Sequence, residues 1–131
     1  MRGLDTNVLV RLLVADDAEQ TERATELLQA AESIGESFFV STLVLLELTW
    51  VLESAYECPR AEVLEALEQL AAMPVLRLEN LDALHRAIAM ARKGTLGIPD
   101  LLIGCCAAAG GCTSVVTFDK QAADSELFEP L

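Results

Sequence analysis

Residues 1–14, "MRGLDTNVLVRLLV", change their periodicity partway along. "RGLD" (2–5) is a short extended run, whereas "TNVLVRLLV" (6–14) places Val8, Leu9, Leu12 and Leu13 at helical spacing. A strand that runs straight into a helix is how an α/β fold begins. Asp5 sits at the join and Asn7 two residues further on, in an otherwise apolar stretch. An unpaired carboxylate removed from water is costly, so Asp5 is expected to be solvated, hydrogen-bonded or facing a cation.

The same alternation continues down the chain. In "DDAEQ" (16–20), Asp16 precedes Glu19 by three residues, a capping-box pattern that opens a helix reaching about Ser33, and Gly35 breaks it. "SFFVS" (37–41) reads as a buried strand. "TLVLLELTWVLESA" (42–55) reads as a helix with Thr42 as its cap, apolar on nearly every side from Leu43 to Leu52. Glu47 interrupts that run on the face of Leu43, Leu46 and Trp50, where its carboxylate is expected to point inward with its neighbours. Pro59 starts a helix through about Ala72, "PVLRL" (74–78) is a strand, and Leu81 to Lys93 is a helix. "IPDLLIGCCAAAGG" (98–111) puts Pro99 in the first helical turn and Gly110–Gly111 at the end, with Asp100 in that first turn. "SVVTFD" (114–119) is a buried strand ending at Asp119, and "LFEPL" (127–131) supplies a short edge strand. Strands alternating with helices imply right-handed crossovers and a parallel sheet of four to five strands with helices on both faces.

At 131 residues the chain suits one domain, residues 1–131, and its 53% hydrophobic content argues against disorder. No apolar run approaches the ~18 residues of a membrane span, and Asp5 stands where a signal peptide needs its apolar segment. A cytoplasmic protein without membrane contact is expected. Cys58, Cys105, Cys106 and Cys112 have no zinc-type spacing and read as reduced residues. His85 is the only histidine, which excludes a histidine triad or multi-histidine metal site. With 9 basic and 21 acidic residues the net charge is −12, so binding a polyanion requires a local basic rim or metal ions.

Four carboxylates stand at element ends or on apolar faces: Asp5, Glu47, Asp100 and Asp119. Singly, Asp5 reads as a helix cap, Asp100 as a complement to a helix dipole and Asp119 as a turn residue. Jointly they read differently, because open α/β sheets place ligands at the carboxyl ends of strands. Acids gathered there repel one another unless a divalent cation neutralises them. Oxygen-only ligands select a hard ion, Mg2+ or Mn2+.

"GLDTNVLVRLL" (3–13), "FVSTLVLLELTWVL" (39–52), "IPDLLIGCCAAAGG" and "VVTFDK" (115–120), in that order, resemble the PIN domain family, and more narrowly the VapC-type toxin ribonucleases of toxin–antitoxin pairs. The resemblance implies that Asp5, Glu47, Asp100 and Asp119 form the acidic metal-binding quartet, with Asn7 and Ser41 in supporting polar positions. It also implies strand one beside strand four, which would set Asp5 next to Asp119. Where many relatives carry a further acid shortly before the helix-start aspartate, this chain has Gly97, leaving the number of metal ions open.

The activity implied is Mg2+-dependent or Mn2+-dependent endoribonuclease cleavage of RNA, in which metal-activated water leaves 5′-phosphate and 3′-hydroxyl ends. Arg11, Arg92, Lys93 and Lys120 lie near these motifs, as phosphate contacts or as solubilising charges. The resemblance further implies a homodimer and a cognate antitoxin whose basic tail meets the acidic cleft. Two other classes remain open on the residues alone. One is a receiver-like Mg2+-binding phosphoacceptor, against which a helix-borne Glu47 argues. The other is a catalytically inert PIN-like interaction domain, against which the retention of all four acids argues.

Overall fold

The change of periodicity at residue 5 is realised as β1 (Arg2–Gly3) followed by α1 (Thr6–Val14). In the computed structural model, which describes all residues from Met1 to Leu131, the chain forms two compact units, Met1–Glu79 and Asn80–Leu131. The first continues with α2 (Ala18–Ser33), β2 (Phe38–Val40), α3 (Thr42–Ser54), α4 (Arg60–Ala71) and β3 (Leu76–Leu78). The second holds α5 (Leu81–Lys93), α6 (Ile98–Ala109), β4 (Val115–Thr117), α7 (Lys120–Ala123) and β5 (Phe128–Pro130). The class is α/β, and every strand pairing is parallel.

The five strands form two ladders rather than one sheet. β1, β2 and β3 are joined in that order, with Gly3 opposite Phe39 and Phe38 opposite Leu76, and β4 pairs with β5. The expected ladder between the first and fourth strands is therefore replaced by β1 on β2 and β4 on β5.

The first unit's core is built by alternation and helical phase together. Phe38 and Val40 are buried, as are Leu76 and Leu78 beside them, while Arg77 between them is exposed. Leu9 and Val10 of α1, Leu45, Leu48 and Leu52 of α3, and Val63, Leu67 and Leu70 of α4 are also buried. Each contributes about 1.5–3 kcal/mol of hydrophobic stabilisation. α1 packs on both α2 and α3. α2 begins one residue later than its capping pattern implies: Asp17 accepts the Gln20 N–H, leaving Asp16 to pair with Arg11. Gly35, at φ 72°, turns the chain after Ser33.

In the second unit, α5 buries Ala83, Leu84, Ala87, Ile88 and Ala91 on one face, and α6 packs against it. Gly104 of α6 permits a close approach to the chain entering β5: a Cβ there would lie 2.8 Å from Leu127 Cδ1 and 3.0 Å from Phe128 Cε2. β4 is only half-buried, contrary to the fully buried strand expected from its apolar sequence. No helix is long and apolar enough to cross a membrane.

Candidate active site

Asp5 is exposed and caps α1, accepting the Thr6 N–H through Oδ1 at 2.8 Å. It is thus hydrogen-bonded and solvated, and Oδ2 makes no protein hydrogen bond. Thr6 is buried, and its hydroxyl is the one buried side-chain polar atom without a hydrogen-bond partner. Asn7, exposed, borders a groove of about 380 Å³ between α1 and α2, with Val8, Arg11, Gln20, Arg23, Ala24 and Leu27.

Glu47 does not point inward. It is exposed, and the residues expected to bury that face, Leu43 and Trp50, are 77% and 66% exposed. α3 instead turns Leu45, Leu48, Thr49 and Leu52 into the core. A helix apolar on nearly every side carries no phase in its sequence, so packing chose the face. Its N-cap is Ser41, not Thr42: Ser41 Oγ accepts the Val44 N–H at 3.2 Å, and Glu79 Oε1 accepts the Thr42 N–H at 3.0 Å. Ser41 is therefore committed to holding the start of the helix that carries Glu47. The part played by Glu79 is not foreseeable from sequence spacing, because it arrives from β3's far end.

Asp100 stands half-exposed in the first turn of α6, where the helix dipole favours a negative charge. Gly97 is the N-cap of that helix and supplies no side chain. A Cβ at Gly97 would lie 3.3 Å from Asp100 Oδ2, so a larger residue there would sit directly against this carboxylate. Asp119 is exposed and caps α7, a helix the sequence pattern did not disclose because it has only four residues. Its Oδ1 accepts the N–H groups of Gln121 and Ala122, at 2.9 and 3.1 Å. Oδ2 is left without a protein partner, as at Asp5.

Asp5 and Glu47 belong to the first unit, Asp100 and Asp119 to the second. In neither unit are three aspartate, glutamate, histidine or cysteine side chains grouped so as to hold a metal ion. The donor chemistry nevertheless fits a hard divalent cation: the four side chains offer only carboxylate oxygens, and at Asp5 and Asp119 backbone N–H groups orient one oxygen while the other stays open.

Of the basic candidates, Arg11 is held in a network. Its Nε donates to Gln20 at 2.6 Å, and its Nη1 donates to Asp16 at 3.0 Å and to Tyr56 Oη at 3.3 Å, while Tyr56 donates to Asp16 at 2.8 Å. The Tyr56 hydrogen bond, followed by the Asp16 charge, raises the Arg11 pKa above its ordinary value against the opposing effect of burial. Its first role is therefore to tie α1 to the start of α2. Arg92 and Lys93 lie exposed at the end of α5, and Lys120 opens α7. Two residues escaped the sequence reading, Arg23 on the α1–α2 groove and Phe118. Phe118 is 83% exposed directly before Asp119, yet in sequence it is indistinguishable from a buried strand residue.

The PIN domain family matches residues 4–125, a span that includes all four acids. A VapC ribonuclease of Aquifex aeolicus (strain VF5) is 27% identical over 121 residues, covering 92% of this chain and 89% of the relative.

Proposed function

The chain belongs to the PIN domain family, and from that premise we propose that it is a metal-dependent endoribonuclease, the toxin of a toxin–antitoxin pair, acting as one domain in the cytoplasm. The observation that carries this is the VapC-ribonuclease likeness together with Asp5 and Asp119, whose carboxylates are held by one and by two backbone N–H groups respectively and each keep one oxygen open.

Asp5, Glu47, Asp100 and Asp119 would hold Mg2+ or Mn2+. When bound, the ion supplies a water of lowered pKa and stabilises charge on the leaving oxygen of the phosphodiester. The chain's own groups bind and orient. Asn7, beside the α1–α2 groove, positions the strand near Asp5, and Ser41 fixes the helix that presents Glu47. Lys93 and Lys120 contact phosphates, with Arg92 as a further candidate and Arg11 restricted by its network. No side chain is needed as a covalent nucleophile.

The test is incubation of the purified chain with RNA in Mg2+, in Mn2+ and in EDTA, with mapping of product ends. Cleavage confined to the metal arms and leaving 5′-phosphate and 3′-hydroxyl ends supports the proposal; intact RNA in both metal arms sinks it. The metal should also raise the melting temperature, by an amount equivalent to about 2.7 kcal/mol at one hundred times its dissociation constant.

A second copy and an antitoxin are the proposed protein partners. The exposed Leu43 and Trp50 on α3 support a homodimer, since large apolar side chains left in solvent on one helix are candidates for an interface. The surplus of acid, 21 acidic against 9 basic residues, favours an antitoxin tail rich in arginine, whose planar fork bonds carboxylates at two points.

A further inference from the structure

We propose that Phe118 is a stacking platform for an unpaired nucleobase, the one adjoining the cleaved phosphodiester, and that Lys120 takes a neighbouring phosphate. The inference rests on the endoribonuclease proposal above and adds to it a residue that binds the substrate beside the reacting phosphate.

Phe118 is the most exposed large hydrophobic residue of the chain, at 83%. The fold gains nothing from burying it, yet holds its backbone from both sides. On one side, Thr117 is paired in the β4–β5 ladder and its carbonyl accepts the Leu131 N–H at 3.0 Å. Thr117 Oγ1 also accepts the Asp119 N–H at 3.0 Å, closing a turn across Phe118. On the other side, Asp119 is pinned by its cap on α7. The ring is therefore carried on fixed backbone while standing in solvent, which lowers the entropy lost when a flat ligand settles on it. Val116 of β4, two residues earlier, is also exposed, at 54%.

The neighbours indicate what that ligand is. Asp119, with its open Oδ2, is the next residue, about 3.8 Å away along the Cα trace, and Lys120, exposed and unpaired, follows it. An aromatic ring, a candidate metal ligand and a cation thus lie within three residues of one another, the groups that a base and its adjoining phosphates require. Stacking on an aromatic side chain requires a base free of its own helix, which is how proteins read single-stranded RNA. Duplex RNA presents no such face to Phe118.

The experiment compares wild type, Phe118→Ala, Phe118→Leu and Phe118→Tyr on a short single-stranded RNA and on the same sequence in a duplex. The expected result is a KM on the single strand raised about 5- to 150-fold in the Ala and Leu variants, with kcat little changed. KM should be restored in the Tyr variant, and the duplex should be a poor substrate for all four proteins. A Leu variant matching wild type would show that apolar bulk rather than a π face matters, and would overturn the proposal. Loss of an oligomer in Phe118→Ala by light scattering, together with its KM, would overturn it in favour of a contact between copies. A binding arm keeps the two proposals separable. Phe118→Trp, in a Trp50→Phe background, should show fluorescence quenched by single-stranded RNA in EDTA and unaffected by duplex. If wild type cuts no RNA but the quenching occurs, the nuclease proposal fails and the platform stands; if cleavage occurs without quenching, the platform fails alone.

Discussion

Helices α3 and α6 are the two most apolar helices of the chain, α3 carrying Glu47 midway and Glu53 in its last turn and α6 only Asp100, and they end in different environments. α6 sinks Leu101, Leu102, Gly104 and Cys105 into its unit, drawn so close to Leu127 and Phe128 that position 104 has no room for a methyl group. α3 buries Leu45, Leu48 and Leu52 but leaves Leu43 and Trp50 in solvent around Glu47. Apolar composition therefore states that a helix has surface to cover, not that its own chain covers it. α6 is covered from within apart from Ile103, whereas on α3 both Leu43 and Trp50 stay in solvent beside Glu47.

The comparison is most severely tested within α3. Leu45→Ala should lower unfolding free energy by about 2–5 kcal/mol in chemical denaturation, because it empties a fully packed site. A loss below 1 kcal/mol, on the order of a surface change, would mean that the helix faces are wrongly distinguished. Glu47→Gln, two residues on, should leave stability unchanged while RNA cleavage in Mg2+ falls by at least ~100-fold, the scale expected for a metal-ligand site. Asp5→Asn and Asp119→Asn should behave alike, since asparagine caps a helix as well as aspartate. Full activity in any of the three removes that residue from the proposed ligand set.

On α6, Gly104→Ala should destabilise the fold by about 1–3 kcal/mol despite alanine's better helix propensity, because the added Cβ meets buried side chains. Combining it with Leu127→Ala should cost less than the sum of the two single changes; strict additivity would place the strain elsewhere. The smallest stability effects belong to the open side of α3. Leu43→Ala and Trp50→Glu should change monomer stability by no more than about 0.5 kcal/mol. Trp50→Glu should nevertheless shift the light-scattering mass of the proposed dimer to the chain mass of 14.1 kDa. An unchanged mass would place the dimer contact on another surface.

Local signals carried much of the fold into view. Pro99 and Gly110 bracket α6, and Gly35 follows the end of α2, because these residues act through their own backbone restrictions. Two caps were displaced by one residue, from Asp16 to Asp17 and from Thr42 to Ser41. Neighbouring cap-forming residues compete for the same N–H groups, and tertiary bonds decide between them: Arg11 and Tyr56 occupy Asp16, and Glu79 takes the Thr42 N–H. Asp5 and Asp119 were legible as element-end acids, and both prove to be helix caps. Such an oriented carboxylate is compatible with structural and metal-binding roles alike.

The sequence by itself determined the α/β class and the order of its principal helices and strands, and it placed Asp5, Asp100 and Asp119 at element ends, because periodicity, proline, glycine and charge act locally. Only the tertiary structure decided that the strands pair as β1-β2-β3 and β4-β5, that Glu47 faces water between Leu43 and Trp50, and that Phe118 stands exposed beside Asp119. The physical reason is common to all three: a short or uniformly apolar segment has no internal phase, so its partners and its outward face are set by what the rest of the chain can pack against it.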